Sequence, residues 1–296
     1  MTVSIAHLGP TGTYAEAAAL AYSRWLSGRM GLECRLCPYP SIAQTLRAAE
    51  RSQARLAVVP VENSIEGSVP ITLDSLWQLE NLRIQQALVL PISHALLSRA
   101  IAPSAIQTVY SHPQALAQCQ NWLERFVPNV QLIPTNSTTE ALQHLTEDTS
   151  SSAIASQRAA QLYNLPVLAH PINDRPDNCT RFWVVGRGEF EPCRVKSDGE
   201  VPYHCYTSLA FGLPANVPGA LVNPLQVFAR RGINLSRIES RPTKRSLGEY
   251  LFFIDLDTDG ELETVRSALA ELTAHTEILK IFGSYTLLPV DPYEVD

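Results

Sequence analysis

Over the first 187 residues, short apolar, β-branched runs alternate with stretches whose apolar positions recur at i, i+3 and i+4. The runs Val3–Leu8, Cys34–Tyr39, Leu56–Val61, Val109–Ser111, Val130–Pro134, Ala153–Ser156, Val167–His170 and Phe182–Gly186 predict strands. Between them EAAALAYSRWL, SIAQTLRAAE, PQALAQCQNWLERF and TTEALQHL predict amphipathic helices. Such alternation reads as α/β, with βα units around mainly parallel sheets. Arg83–Leu97 is extended but interrupted by Pro91. It predicts a strand crossing between two lobes, the second covering about residues 83–160 of a first domain at 1–187.

The pattern then changes. Residues 188–203 are polar and irregular and predict a linker. Residues 204–296 run strand (Cys205–Gly212), helix (Gly219–Arg231), strand (Asn234–Arg241), strand (Glu249–Asp257), helix (Glu261–His275) and strand (Glu277–Leu287). This βαββαβ order is that of a ferredoxin-like α+β sandwich. Pro224 falls inside its first helix and predicts a lost hydrogen bond or a late helix start.

Composition narrows the function. With 296 residues, 45% hydrophobic and 18% charged, the chain has length for two domains and ample core. A net charge of −6 lacks the basic face of a nucleic-acid binder. No apolar run approaches the roughly 20 residues of a membrane helix, so no membrane partner is expected. The start MTVSIAHLGP shows no secretory signal. The expected location is therefore cytoplasmic, with the six cysteines reduced. Cys34 and Cys37 form a C-x-x-C, but no second pair completes a zinc site, and coincidence within a strand is the favoured reading.

Candidate chemistry gathers where strands meet helices. Thr13 to Glu16, Ser41 to Gln44, Ser111 to Gln114 and Ser137 to Glu140 fit the capping box. Ser41 reads as a cap alone. The other three carry polar groups that capping does not need: Thr11 and Gly12 beside Thr13, His112 after Ser111, and Asn136 and Thr138 around Ser137. Helix mouths with free N–H groups and hydroxyls suit an anion, most simply a dicarboxylate. GPTGTY lacks both the Walker Lys-Ser/Thr and the G-x-G-x-x-G spacing, so no nucleotide cofactor is expected. In PVENSIEGS, Glu62, Asn63 and Ser64 follow an apolar strand, at the edge where open α/β sheets collect ligands. An Asn-Ser turn with a structural Glu fits that pattern as well. Of the histidines only His112 sits in a loaded loop; the others read as surface or satisfied core residues.

GPTGTYAEAA, PVENSIEGSV, SHPQALAQC, STTEAL and NCTRFWVVG, in this order and spacing, closely resemble the prephenate dehydratase family. GALVNPLQVFARRGINLSRIESRP resembles that family's regulatory ACT domain. The resemblance implies two α/β lobes like type II periplasmic binding proteins, with the active site in the cleft. It implies cofactor- and metal-free conversion of prephenate to phenylpyruvate. The essential threonine then falls on Thr180, touching the leaving hydroxyl, with Glu62 the candidate proton source and Asn63 and Gln114 at catalytic positions. Arg181 would clamp a carboxylate, or else pair with Asp174 or Asp177. Ser64, Ser111, His112, Asn136, Ser137, Thr138 and Phe182 would contact substrate, together with Thr11, Gly12 and Thr13. The first motif departs from the family at Tyr14-Ala15, where Phe-Ser or Phe-Thr is frequent.

In the ACT module the resemblance implies phenylalanine binding between paired copies, hence a homodimer or homotetramer. The residues carried over are Gly219, Ala220, Leu221, Asn234, Leu235, Glu239, Ser240, Arg241 and Pro242. Two alternatives stay open: action on arogenate, and a non-catalytic sensor for amino acids or dicarboxylates. A hydroxyl aimed at a leaving group argues against the sensor.

Overall fold

Strand β1 (Thr2–Leu8), helix α1 (Tyr14–Met30), strand β2 (Glu33–Tyr39), helix α2 (Ile42–Glu50) and strand β3 (Leu56–Asn63) open the chain. They belong to a computed structural model that describes residues 2–145, 149–188, 190 and 204–290. β1 lies between β2 and β3 and runs parallel to both. The Thr13 hydroxyl accepts the Glu16 N–H at the start of α1, and Gly31 in the left-handed region ends the helix. The alanines at 15, 17, 18 and 19 let α1 lie close on Ile5, Val58 and Phe182. A short β4 (Gly67–Ser68) turns back on β3, and helix α3 (Pro70–Gln78) leads to β5 (Leu82–Pro91).

The predicted crossing strand is two strands. β5 ends at Pro91 in the first sheet, and β6 (Ala95–Ser98) begins in the second. The second lobe continues with β7 (Thr108–Ser111), α4 (Pro113–Gln118), α5 (Gln120–Phe126), β8 (Gln131–Pro134), β9 (Ser151–Ala155), α6 (Gln157–Leu162) and β10 (Val167–Ala169). β7 is parallel to β8 and β9, while β6 is antiparallel to β9 and β10. The helix predicted over PQALAQCQNWLERF breaks at Cys119, and TTEALQHL is a single 3-10 turn at Glu140–His144. The chain returns as β11 (Cys179–Arg187), antiparallel between β3 and β5 in the first sheet. Both sheets are therefore mixed, with parallel pairs beside antiparallel ones.

Residues 191–203, most of the predicted linker, lie outside the described residues. Beyond them come β12 (Cys205–Gly212), α7 (Val222–Ala229), β13 (Leu235–Pro242), β14 (Tyr250–Leu256), α8 (Glu263–Leu272) and β15 (Ile278–Pro289). The order is β13-β14-β12-β15, with antiparallel neighbours. Helix α7 starts late, so Pro224 falls in its first turn, where a missing N–H removes no helical bond. One face of this sheet packs on α7 and α8 through Leu209, Phe211, Val227, Phe228 and Ile254. The other face joins the first lobe's core, with Ala210, Leu251, Phe253 and Phe282 packed among Trp183, Leu73 and Leu76. The end of β15 also pairs in parallel with β5, making one continuous sheet. Among the described residues no helix is long and apolar enough to cross a membrane.

Candidate active site

The site depends on one irregularity in β3. Trp183 lies opposite Val59 and Phe182 opposite Pro60, but Arg181 pairs with Glu62 and Thr180 with Asn63. Val61 is therefore the extra residue of a β-bulge, beside a proline that has no N–H to give the ladder. Strand side chains alternate between faces, so one inserted residue swaps the faces of everything beyond it. Here it brings Asn63 onto the same face as Thr180 and leaves Glu62 on the opposite face with Arg181.

Asn63 is the fixed point of a buried network. Its Oδ1 accepts the backbone N–H groups of Ile65 at 3.0 Å and Glu66 at 3.1 Å, which settles which end of the amide is oxygen. Its Nδ2 therefore donates, to Thr180 Oγ1 at 2.9 Å and to Asn178 Oδ1 at 2.9 Å. Asn178 Nδ2 in turn donates to Gln118 Oε1 at 2.8 Å, and Gln118 Nε2 reaches Asn63 Oδ1 at 3.5 Å. Because Gln118 Oε1 only accepts, His94 Nε2, 3.1 Å away, carries the ring proton. The Ser93 carbonyl at 2.6 Å and the unprotonated His94 Nδ1 at 3.0 Å are both acceptors and share the single hydrogen of the Tyr14 hydroxyl, which is donated mainly to the shorter contact. Burial pushes the His94 imidazole down to about 4 and the Tyr14 phenol well above its usual range. His94 is thus neutral and Tyr14 protonated near pH 7. Since Thr180 Oγ1 accepts from Asn63, its own hydrogen has no acceptor among the described residues and is free for a ligand.

Several residues expected at this site do other work. Glu62 faces away from Thr180, 3.7 Å from Arg181, so it does not supply a proton there. Arg181 pairs with Asp255 at 3.3 Å rather than with Asp174 or Asp177. Asp174 instead accepts the N–H groups of Asn121 and Trp122 at the start of α5. Phe182 is only 2% exposed and packs in the core, which removes it as a ligand contact. Ser111 is fully buried and donates to the Ile154 carbonyl, tying β7 to β9. His112, not Ser111, caps α4, its Nδ1 accepting the Gln114 N–H at 3.3 Å. Gln114 stays outside the network, and Gln118, one turn on, joins it. The sequence reading missed Gln118, Asn178, His94 and Tyr14. Gln118 is set apart from Gln114 by burial alone, which the sequence does not reveal.

The helix mouths are partly filled by the chain itself. Glu16 Oε2 accepts the Gly12 N–H at 2.7 Å, and Glu140 accepts from both the backbone and side-chain N–H of Asn136 at 3.1 Å. The Thr13 and Ser137 hydroxyls accept the capping N–H groups of Glu16 and Glu140. Left without partners among the described residues are the hydroxyls of Thr11 and Thr138. Ser64 stands exposed beside Thr180, its Oγ accepting the Cys179 N–H at 3.0 Å. His112 lies within Coulombic reach of Glu66, which partly offsets the lowering of its pKa by burial. Cys34 and Cys37 sit three apart on a strand, hence on opposite faces, and do not form a thiol pair.

In the C-terminal module, Gly219 to Leu221 form the turn before α7. The Asn234 carbonyl accepts the Asp257 N–H. Glu239 accepts from the Ser68 hydroxyl at 3.1 Å, and Arg241 holds Asp74 through two bonds of 3.0 and 3.1 Å. Glu239 and Arg241 thus face the first lobe, while Ser240 and Pro242 are exposed on the other side.

Two α/β lobes with a buried amide network aimed at a strand-end threonine, joined to a βαββαβ module, define a two-domain lobed protein with an appended sensor-type fold. Residues 5–189 match the family model for prephenate dehydratase, and residues 207–274 match that for the ACT domain. The chain belongs to the prephenate dehydratase family. It is 40% identical to a bifunctional chorismate mutase/prephenate dehydratase of Aquifex aeolicus, over 96% of this chain and 73% of that protein. With a prephenate dehydratase of Methanocaldococcus jannaschii the identity is 36%, covering 96% of this chain and 98% of the relative. A crystal structure of the Arthrobacter aurescens prephenate dehydratase in complex with L-Phe superposes with a TM-score of 0.82 at 35% identity, covering 96% of this chain and 90% of that one.

Proposed function

We propose that this protein is a cytoplasmic lyase that converts prephenate to phenylpyruvate, with an ACT module that binds phenylalanine across a homo-oligomer. The ring carboxylate leaves as carbon dioxide, and the electrons of that bond complete the aromatic ring. The ring hydroxyl, with one added proton, leaves as water. The observation that carries the reading is the free hydrogen of Thr180, aimed by Asn63. Amides do not titrate, so the network orients Thr180 as a fixed hydrogen-bond donor to the departing oxygen and does not transport the proton. That proton arrives from the cleft side, and we assign it to His112, which the second lobe holds within Coulombic reach of Glu66 beside the Asn63 turn.

Ser64 and Thr180 present hydroxyls to the ring, Asn63 aims Thr180 from behind, and Arg181 is turned away. Arg181 being held by Asp255 suits a carboxylate whose charge must drain into the ring, because tight ground-state binding would not accelerate its loss. Thr11 and Thr138 supply hydroxyls for the second carboxylate. Gly219 to Leu221, Asn234, Leu235 and the exposed Ser240 and Pro242 form the phenylalanine site with a second copy.

Purified protein incubated with prephenate is expected to release phenylpyruvate; turnover of arogenate alone would reassign the substrate, and turnover of neither would overturn the reading. Thr180→Ala is expected to lower kcat by about 10²-fold or more with substrate still bound, the loss seen when one transition-state donor is removed.

A further inference from the structure

The network that aims Thr180 does not end at Gln118. It continues to His94, which is 2% exposed and lies on the segment where the chain crosses between lobes. We propose that His94, anchored by Tyr14, is a positioning residue for the reaction, its Nε2–H locking the Gln118 amide and so the aim of Thr180.

Gln118 is the adjustable member of the network. Asn63 is held by two backbone N–H groups, whereas nothing on the backbone tells Gln118 which end is oxygen. Two donors, Asn178 Nδ2 and His94 Nε2, converge on its Oε1. Without the histidine donor, a flipped Gln118 would set its NH₂ against that of Asn178, and Asn178 would lose its hold on Asn63. The imidazole is fixed in turn. Its backbone N–H donates to Asn173 Oδ1 at 2.6 Å, its carbonyl accepts from Ile172, and Tyr14 meets Nδ1 with the two rings edge-on. Tyr14 follows Thr11 to Thr13 at the head of α1, so the same anchor joins the first lobe's ligand loop to the crossing segment.

The kinetic part of this inference rests on the proposed dehydratase activity; the spectroscopic part does not. His94→Leu is expected to lower prephenate kcat about tenfold, the size of one buried hydrogen bond, with KM changed less than about twofold. His94→Gln, which keeps an N–H donor, should recover part of that loss, and Tyr14→Phe should cost less than His94→Leu. Combined with Gln118→Leu, His94→Leu should add almost nothing, because both act through one amide. Unchanged kcat in His94→Leu, or full additivity with Gln118→Leu, would overturn the proposal. Nitrogen NMR of the imidazole, at neutral pH and without substrate, should show His94 protonated at Nε2 alone, with that signal moving in Gln118→Leu. Should the protein fail to turn over prephenate, this signature still decides: a His94 protonated at Nδ1, or a signal indifferent to Gln118→Leu, refutes the lock.

Discussion

Asn63 shows how much one side chain can settle. Two backbone N–H groups fix its oxygen, and from that anchor the orientation of Asn178, Gln118 and the His94 proton follow in turn. The partners stand far apart in sequence: 117 residues separate Asn63 from Thr180, and 60 separate Gln118 from Asn178. No spacing rule joins such positions, so SHPQALAQC offered two glutamines and no means of choosing. Burial chooses. Gln118 is 6% exposed and carries three network contacts, while Gln114 gives only its backbone N–H to His112. Replacing Gln118 by Ala should therefore leave Asn178 and His94 without a buried partner and lower kcat about tenfold or more. The same change at Gln114 should leave kcat within about twofold. Equal losses from the two variants would mean that the network does not carry the aim of Thr180.

Elements were legible where composition and period agreed. The β-branched runs became strands, and the βαββαβ order emerged from apolar period and turn residues alone. Two features resisted for physical reasons. Helix α3 is nine residues opening on a proline, held by Leu73 and Leu76 against the core rather than by its own pattern. The bulge at Val61 was invisible because alternation assumes one partner per residue, and it is the bulge that decides whether Glu62 or Asn63 shares a face with Thr180. A third element carries a joint. Gly283 in β15 has φ +133°, and a Cβ there would sit 2.9 Å from the Ile84 carbonyl oxygen of β5. Gly283→Ala should thus lower stability by about 1–3 kcal/mol through backbone strain. Thermal unfolding followed by tryptophan fluorescence checks this; an unchanged melting temperature would show that the junction gives way freely.

At the scale of the molecule, the module and the first lobe share a sheet, a core and a line of charges. Asp255, fully buried, receives Arg181 from the strand that bears Thr180 and Arg237 from the strand that bears Glu239. Removing one partner from such a cluster strands a buried charge and costs several kcal/mol, so it is a poor place to ask about signalling. The contact at α3 is gentler. Asp74 accepts both Arg241 and Lys244, which hold its carboxyl below the usual range although burial alone would raise it. Helix α3 follows β4, where Ser68 pairs with Glu62 and Gly67 with Asn63, so α3 leads from the module to the base of the network. Asp74→Asn keeps the shape and releases both cations, at a stability cost of about 1 kcal/mol for a partly exposed pair. Basal kcat should stay within about twofold, because Thr180, Asn63 and Gln118 are untouched. The change in rate caused by added phenylalanine, whatever its sign, should shrink to less than about half. Basal activity lost along with the response would show that Asp74 supports the lobe itself. An intact response would move the coupling to the shared core and the β15–β5 seam, where no single charge carries it.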